Sequence, residues 1–96
     1  MSYRFVLTVS REAGLDRSDL VGIEERIVGA LSPRHPVRDH DVGRGHLKIV
    51  FLTDAPEAAW EATKPMIPEA VLPATSAFYS TIGERKEHGL WPPSDG

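Results

Sequence analysis

Residues 3–9 (Tyr-Arg-Phe-Val-Leu-Thr-Val) and 46–53 (His-Leu-Lys-Ile-Val-Phe-Leu-Thr) carry apolar side chains at both odd and even positions, and this constrains the fold more than any other feature. Successive side chains of a strand point to opposite faces. Tyr3, Phe5, Leu7, Val9, Leu47, Ile49 and Phe51 therefore share one face, and Val6, Thr8, Val50 and Leu52 share the other. A sheet of such strands needs cover on its first face and leaves a partly apolar second face. With 96 residues the chain makes one small domain with room for a single modest core.

The segments between and after these strands supply the cover. Leu20, Ile23, Ile27 and Leu31 recur at helical spacing with Glu24, Glu25 and Arg26 among them. Asp16 or Ser18 caps this helix, and Ser32-Pro33 ends it, because the residue before proline is pushed out of the helical region. Gly22 and Gly29 each cost it about 1 kcal/mol relative to alanine, so the helix relies on packing; such small residues also permit close approach to a sheet. Thr53-Asp54-Ala55-Pro56-Glu57 predicts the start of a second helix, with Asp54 as N-cap, Pro56 in the first turn and Glu57 at the capping-box position. Ala59, Trp60, Thr63 and Ile67 follow; Pro65 kinks or ends the helix and Pro68 stops it. Residues 37–42 and 46–53 read as a hairpin about Gly43-Arg44-Gly45, 74–82 as a strand, and 88–92 as a short edge strand.

The resulting order, β-α-β-β-α-β, predicts an α+β, ferredoxin-like fold: an antiparallel sheet of four strands, extended by a fifth short C-terminal strand, with two helices on one face. A single domain is expected over 1–92, with 93–96 as a fraying tail. The run Asp39-His40-Asp41-Val42-Gly43-Arg44-Gly45, the apolar strand after it, Thr53-Asp54-Ala55-Pro56 and Leu90-Trp91-Pro92 together resemble a small family of uncharacterised bacterial proteins of about this length. The resemblance covers the central and C-terminal half of the chain through turn and cap residues. It implies the ferredoxin-like topology and no activity.

Composition removes several function classes. Cysteine is absent, which excludes disulfides, thiolate metal sites and Cys nucleophiles. The longest apolar run, Ile49-Val50-Phe51-Leu52, is far short of the ~20 residues that span a bilayer, and no signal-like stretch opens the chain, so a cytoplasmic, non-membrane protein is expected. A net charge of −3 and pI near 5.7, without an aromatic and basic sheet signature, argue against nucleic acid. Gly43-Arg44-Gly45 lacks the third glycine of a dinucleotide site and the Lys-Ser/Thr of a P-loop, so it reads as a turn and no cofactor is expected.

The segment from Arg34 to Lys48 is the leading place for a site. It holds His35, His40 and His46, three of the four histidines, with Arg34, Arg38, Arg44, Asp39 and Asp41. Register decides which of these meet. A three-residue loop opposes Val42 to His46 and His40 to Lys48, gathering Arg38, His40, His46 and Lys48 on one face with Val50. A two-residue loop at Arg44-Gly45 instead opposes Asp41 to Lys48 and Val42 to Leu47. Both remain open. His40, His46 and Asp41 have the chemistry of metal ligands, but their spacing matches no zinc pattern and no metal site is expected. Asp39 and Asp41 flank His40 in sequence yet point away from it in a strand, which argues against a His–Asp dyad there. Ser10, Ser76 and Ser80 lack a nucleophile-elbow setting. In the plainest reading the hairpin is a charged edge that discourages pairing with other chains. Trp60 and Trp91 read as packing residues.

An apolar second face without a convergent catalytic set points to a binding or interaction module. It dimerises, or recognises a protein or small ligand, through the open face and the 34–48 hairpin. The residues expected to carry this are Arg38, His40, Arg44, His46, Lys48, Val50 and Tyr79, with Tyr79 assigned to the open face. A second copy related by two-fold symmetry is the simplest cover, ahead of a ligand or Leu90-Trp91-Pro92 folding back. The alternative is an enzyme of dimeric α+β barrel type, in which two such sheets enclose an apolar pocket and His40 or His46 acts as acid/base.

Overall fold

In the computed structural model, which describes residues 2–43, 45–83 and 86–91, strand β1 (Tyr3–Val9) pairs antiparallel along both edges. One neighbour is β3 (Leu47–Thr53) and the other is β4 (Thr75–Thr81). With β2 (Val37–Val42) and β5 (His88–Trp91), the described strands form one antiparallel sheet in the order β2-β3-β1-β4-β5. Helix α1 (Arg17–Leu31) carries the chain from β1 past β3 to β2, and α2 (Pro56–Thr63) carries it from β3 past β1 to β4. The fold is therefore α+β.

Phe5, Leu7 and Val9 of β1 and Leu47, Ile49 and Phe51 of β3 form one core cluster with Leu20, Ile23, Ile27 and Leu31 of α1 and Ala59 and Trp60 of α2. Both helices thus cover the same side of the sheet. The molecule is 21 Å thick along its shortest axis, enough for one sheet and one layer of helices about 10 Å across. Among the described residues no helix is long and apolar enough to cross a membrane.

Local chemistry accounts for the helix limits. The Asp16 carboxylate accepts from the Asp19 N–H at 2.8 Å and starts α1, and Ser32, followed by Pro33, ends it. The second helix starts differently from expectation. Ala55, and not Asp54, occupies the N-cap, because Thr53 Oγ1 turns back to accept the Ala55 N–H at 2.9 Å and moves the boundary one residue on. Nothing lies within 4 Å of where a Cβ on Gly22 or Gly29 would stand, so α1 does not approach the sheet through its glycines. The 3₁₀ turns at Arg11–Ala13, Lys64–Met66 and Glu69–Ala74 are too short to display a hydrophobic period.

At the C-terminal end, β5 extends the sheet beyond β4 through Tyr79↔His88, Phe78↔Gly89 and Ala77↔Trp91. The Trp91 ring lies 5.9 Å from that of Trp60, its Nε1–H donates to the Leu72 carbonyl at 3.0 Å, and Lys64 Nζ stands 4.7 Å from its ring centre. These contacts tie β5 to the helical side. The 90–91 segment therefore lengthens the sheet and does not fold over the open face; Pro92 and the 93–96 tail lie outside the described residues.

The reversal between β2 and β3 passes through Gly45 at φ +77°, a conformation that costs other residues roughly 1–2 kcal/mol. Gly45→Ala should lower the unfolding free energy by that order, seen as a lower urea midpoint. Gly29→Ala, on an exposed helical position with open space around it, should raise stability by up to about 1 kcal/mol. Opposite shifts of the two midpoints in chemical denaturation check both assignments.

Candidate functional site

The hairpin register scatters the histidines. Asp41 opposes Lys48, Val42 opposes Leu47 and His40 opposes Ile49, while the Gly43 N–H donates to the His46 carbonyl at 3.0 Å. This is the pairing of the two-residue reversal: it sets an attractive charge pair on the open side and an apolar pair on the helical side. Arg44 lies outside the described residues.

His40 consequently faces α1 and leaves the group expected on the open face. Its Nδ1 is 3.3 Å from Glu24 Oε2, a buried oxygen with no hydrogen-bond partner of good geometry. His46 lies on the opposite side, its Nε2 3.5 Å from Asp41 Oδ2. Its ring packs over Gly43 so closely that a Cβ there would collide with it. Among the described residues no group of three or more His, Asp or Glu side chains gathers where it could hold a metal ion.

His35 is buried and structural. Its Nδ1 lies 2.6 Å from Thr53 Oγ1, which already accepts from the Ala55 N–H. The imidazole tautomer sets which of the two groups donates. Burial pulls the His35 pKa below its ordinary value of 6.5; Arg34 lowers it further and Asp54 partly offsets both. The pair joins the entry of β2 to the start of α2.

The open face is organised by the central strand. Val6 opposes Val50 on one side and Phe78 on the other, and Arg4 opposes Leu52 and Ser80. Val6 and Val50 are only 3% and 8% exposed although neither belongs to the helix-covered core, so the accessible apolar surface lies around them, on half-buried Leu52 and Phe78 and on Ile82, which is 55% exposed. Lys48 stands on this face beside Thr8. Tyr79 does not. It opposes Phe5 on the helical side, where it meets Tyr3 edge-on at 5.6 Å and stacks on His88 at 5.0 Å. Phe78 takes the place expected for Tyr79, because residues 75–81 are polar and apolar at both parities and only pairing with β1 sets their phase.

Arg38 reaches the open side through an irregularity. The β2–β3 register shifts between Val37 and Asp39, leaving Arg38 as the extra residue of a bulge. It lines a cleft of about 150 Å³ with Arg4, Leu52, Ser80 and the strand end at 81–83. Among the described residues the ion pairs are His40–Glu24 and His46–Asp41, so neither arginine is matched by a carboxylate there. Arg4 and Ser80 have no distinguishing sequence signal; only the sheet order brings them to Arg38. No family model, curated protein or solved structure matches the chain.

The depressed His35 pKa has a signed consequence. As pH falls, the unfolded chain takes up this proton first, near 6.5, so the stabilisation is complete above about that pH and is lost below it, down through the folded value. Thermal melts between pH 7.5 and 5.5 should show a decline in Tm that is shallower in His35→Asn than in the unmodified chain.

Proposed function

We propose that this chain is a non-catalytic interaction module of ferredoxin-like topology whose open sheet face packs against a second copy of itself. The topological part is supported by the order β2-β3-β1-β4, in which each helix crosses one strand, with β5 as an added edge. The observation that carries the functional part is the contiguity of Val6, Val50, Leu52 and Phe78 on the side that neither helix covers.

Covering apolar surface gains about 25 cal/mol per Å². A standard interface takes roughly 800 Å² from each partner, and a slab measuring 36 × 33 Å across its broad face is wide enough to supply that. Like charge disfavours one orientation. A two-fold axis lying between the sheets and perpendicular to the strands opposes the arginine-bearing end of one face to the end that carries Asp41 and Lys48. The axis parallel to the strands would set the arginine-bearing ends of the two faces against each other, which like-charge repulsion disfavours.

A second reading, the dimeric α+β barrel enzyme, draws on the His46–Asp41 pair on the open side, 3.5 Å apart, as an acid/base unit. His40 has no part in it, since it faces Glu24 across the sheet. A wet pocket between the two sheets reaching His46 would favour this enzyme, and a dry, filled interface would favour the module.

Light scattering tests the proposal. The unmodified chain should run at twice the 10.6 kDa chain mass, and Val50→Asp, which places a charge at the centre of the face, should run at the chain mass with an unchanged circular dichroism spectrum. A single-chain mass for both proteins would overturn it.

A further inference from the structure

We infer that the cleft between Arg4 and Arg38 binds a small organic carboxylate with an apolar body about the size of a benzene ring. The two arginines come from strands that are not neighbours: Arg4 stands on β1, Arg38 on the bulge of β2, and Leu52 of β3 lies between them. A bulge redirects a side chain out of the strand's alternation, and here it brings Arg38 to the cleft that Arg4 also lines. The two cations line one cleft, and no carboxylate among the described residues is paired with either. The chain as a whole carries −3, so the concentration of positive charge here does not follow from a basic composition.

The rest of the lining says what kind of anion fits. Guanidinium forks match carboxylate and phosphate geometry alike. Ser80, only 2% exposed, lines the same cleft. Leu52 and the 55% exposed Ile82 form an apolar wall that an inorganic anion would leave unused. The volume of about 150 Å³ equals that of cavities known to accept benzene. An aromatic or short branched carboxylate uses both halves of the cleft. The lining belongs to one chain, at the Arg4 end of the open face, so a carboxylate and a second copy packed over that end compete for Leu52.

Benzoate is the probe, with inorganic phosphate at matched ionic strength as the comparison, followed through the amide resonances of the isotope-labelled chain. Benzoate should shift Leu52, Ser80, Thr81 and Ile82 saturably and bind more tightly than phosphate. Arg4→Gln and Arg38→Gln should each weaken it at least about tenfold, while Lys48→Gln, an equal change of charge elsewhere on the same face, should stay within about twofold. Both arginines are exposed, so an otherwise unchanged amide spectrum verifies that each variant folds. The inference is overturned if benzoate produces no saturable shift, if phosphate binds as tightly, or if Lys48→Gln weakens benzoate as much as the arginine variants do.

Discussion

Strand β1 hydrogen-bonds along both of its edges, and the one-sided architecture follows from that. With β3 and β4 flanking it, the connections to β2 and from β3 to β4 each span an intervening strand, and both helices bury their stripes against Phe5, Leu7 and Val9. Complete burial of a side chain of this kind is worth about 1.5–3 kcal/mol, so the helices are held by this face far more than by their own propensity. Once both lie there, the alternate parity of the same strand, Val6 and Thr8, is left on the uncovered side. The open face is thus the other half of the decision that builds the core.

Elements with strong local periodicity were legible in the sequence: the alternation of 3–9 and the stripe of α1, whose cap the sequence left between Asp16 and Ser18 and the structure gives to Asp16. What failed to read depends on distant partners. Thr53 looks like the last residue of a strand, yet its hydroxyl serves both His35 and Ala55, and that double role displaces the start of α2 from Asp54. The phase of β4 is undetermined by its own residues, so Tyr79 and Phe78 exchange faces relative to expectation once β1 sets the register. Trp91 reveals its anchoring only when Leu72, Lys64 and Trp60 come together beneath it.

The same distinction governs the candidate site. The density of charged residues between Arg34 and Lys48 was plain, but a strand divides such a cluster instead of concentrating it. His40 goes to Glu24, His46 to Asp41 on the other side, and His35 into the core margin. Arg38 is the exception, because the bulge takes it out of the alternation and toward Arg4, a residue that reads in sequence as an ordinary solvated position on a strand. Convergence in this molecule comes from irregularity, and period-based reading is blind to irregularity.

The guarded edges of the sheet support the proposed association through the open face. Its edge strands are poor templates for association. Residues 38–41 of β2 are exposed and consist of Arg, Asp, His and Asp, and β5 has only four residues, from His88 to Trp91. Charge and brevity are the usual protections of sheet edges, since an unpaired ladder of N–H and C=O groups otherwise recruits another strand. The helical side is closed over its core. Guarded edges and one covered face leave, for the proposed association, the side where Leu52 and Phe78 flank two valines that are already nearly shielded. The charged hairpin fits that proposal even without chemistry of its own, because charge along a sheet edge disfavours edge pairing.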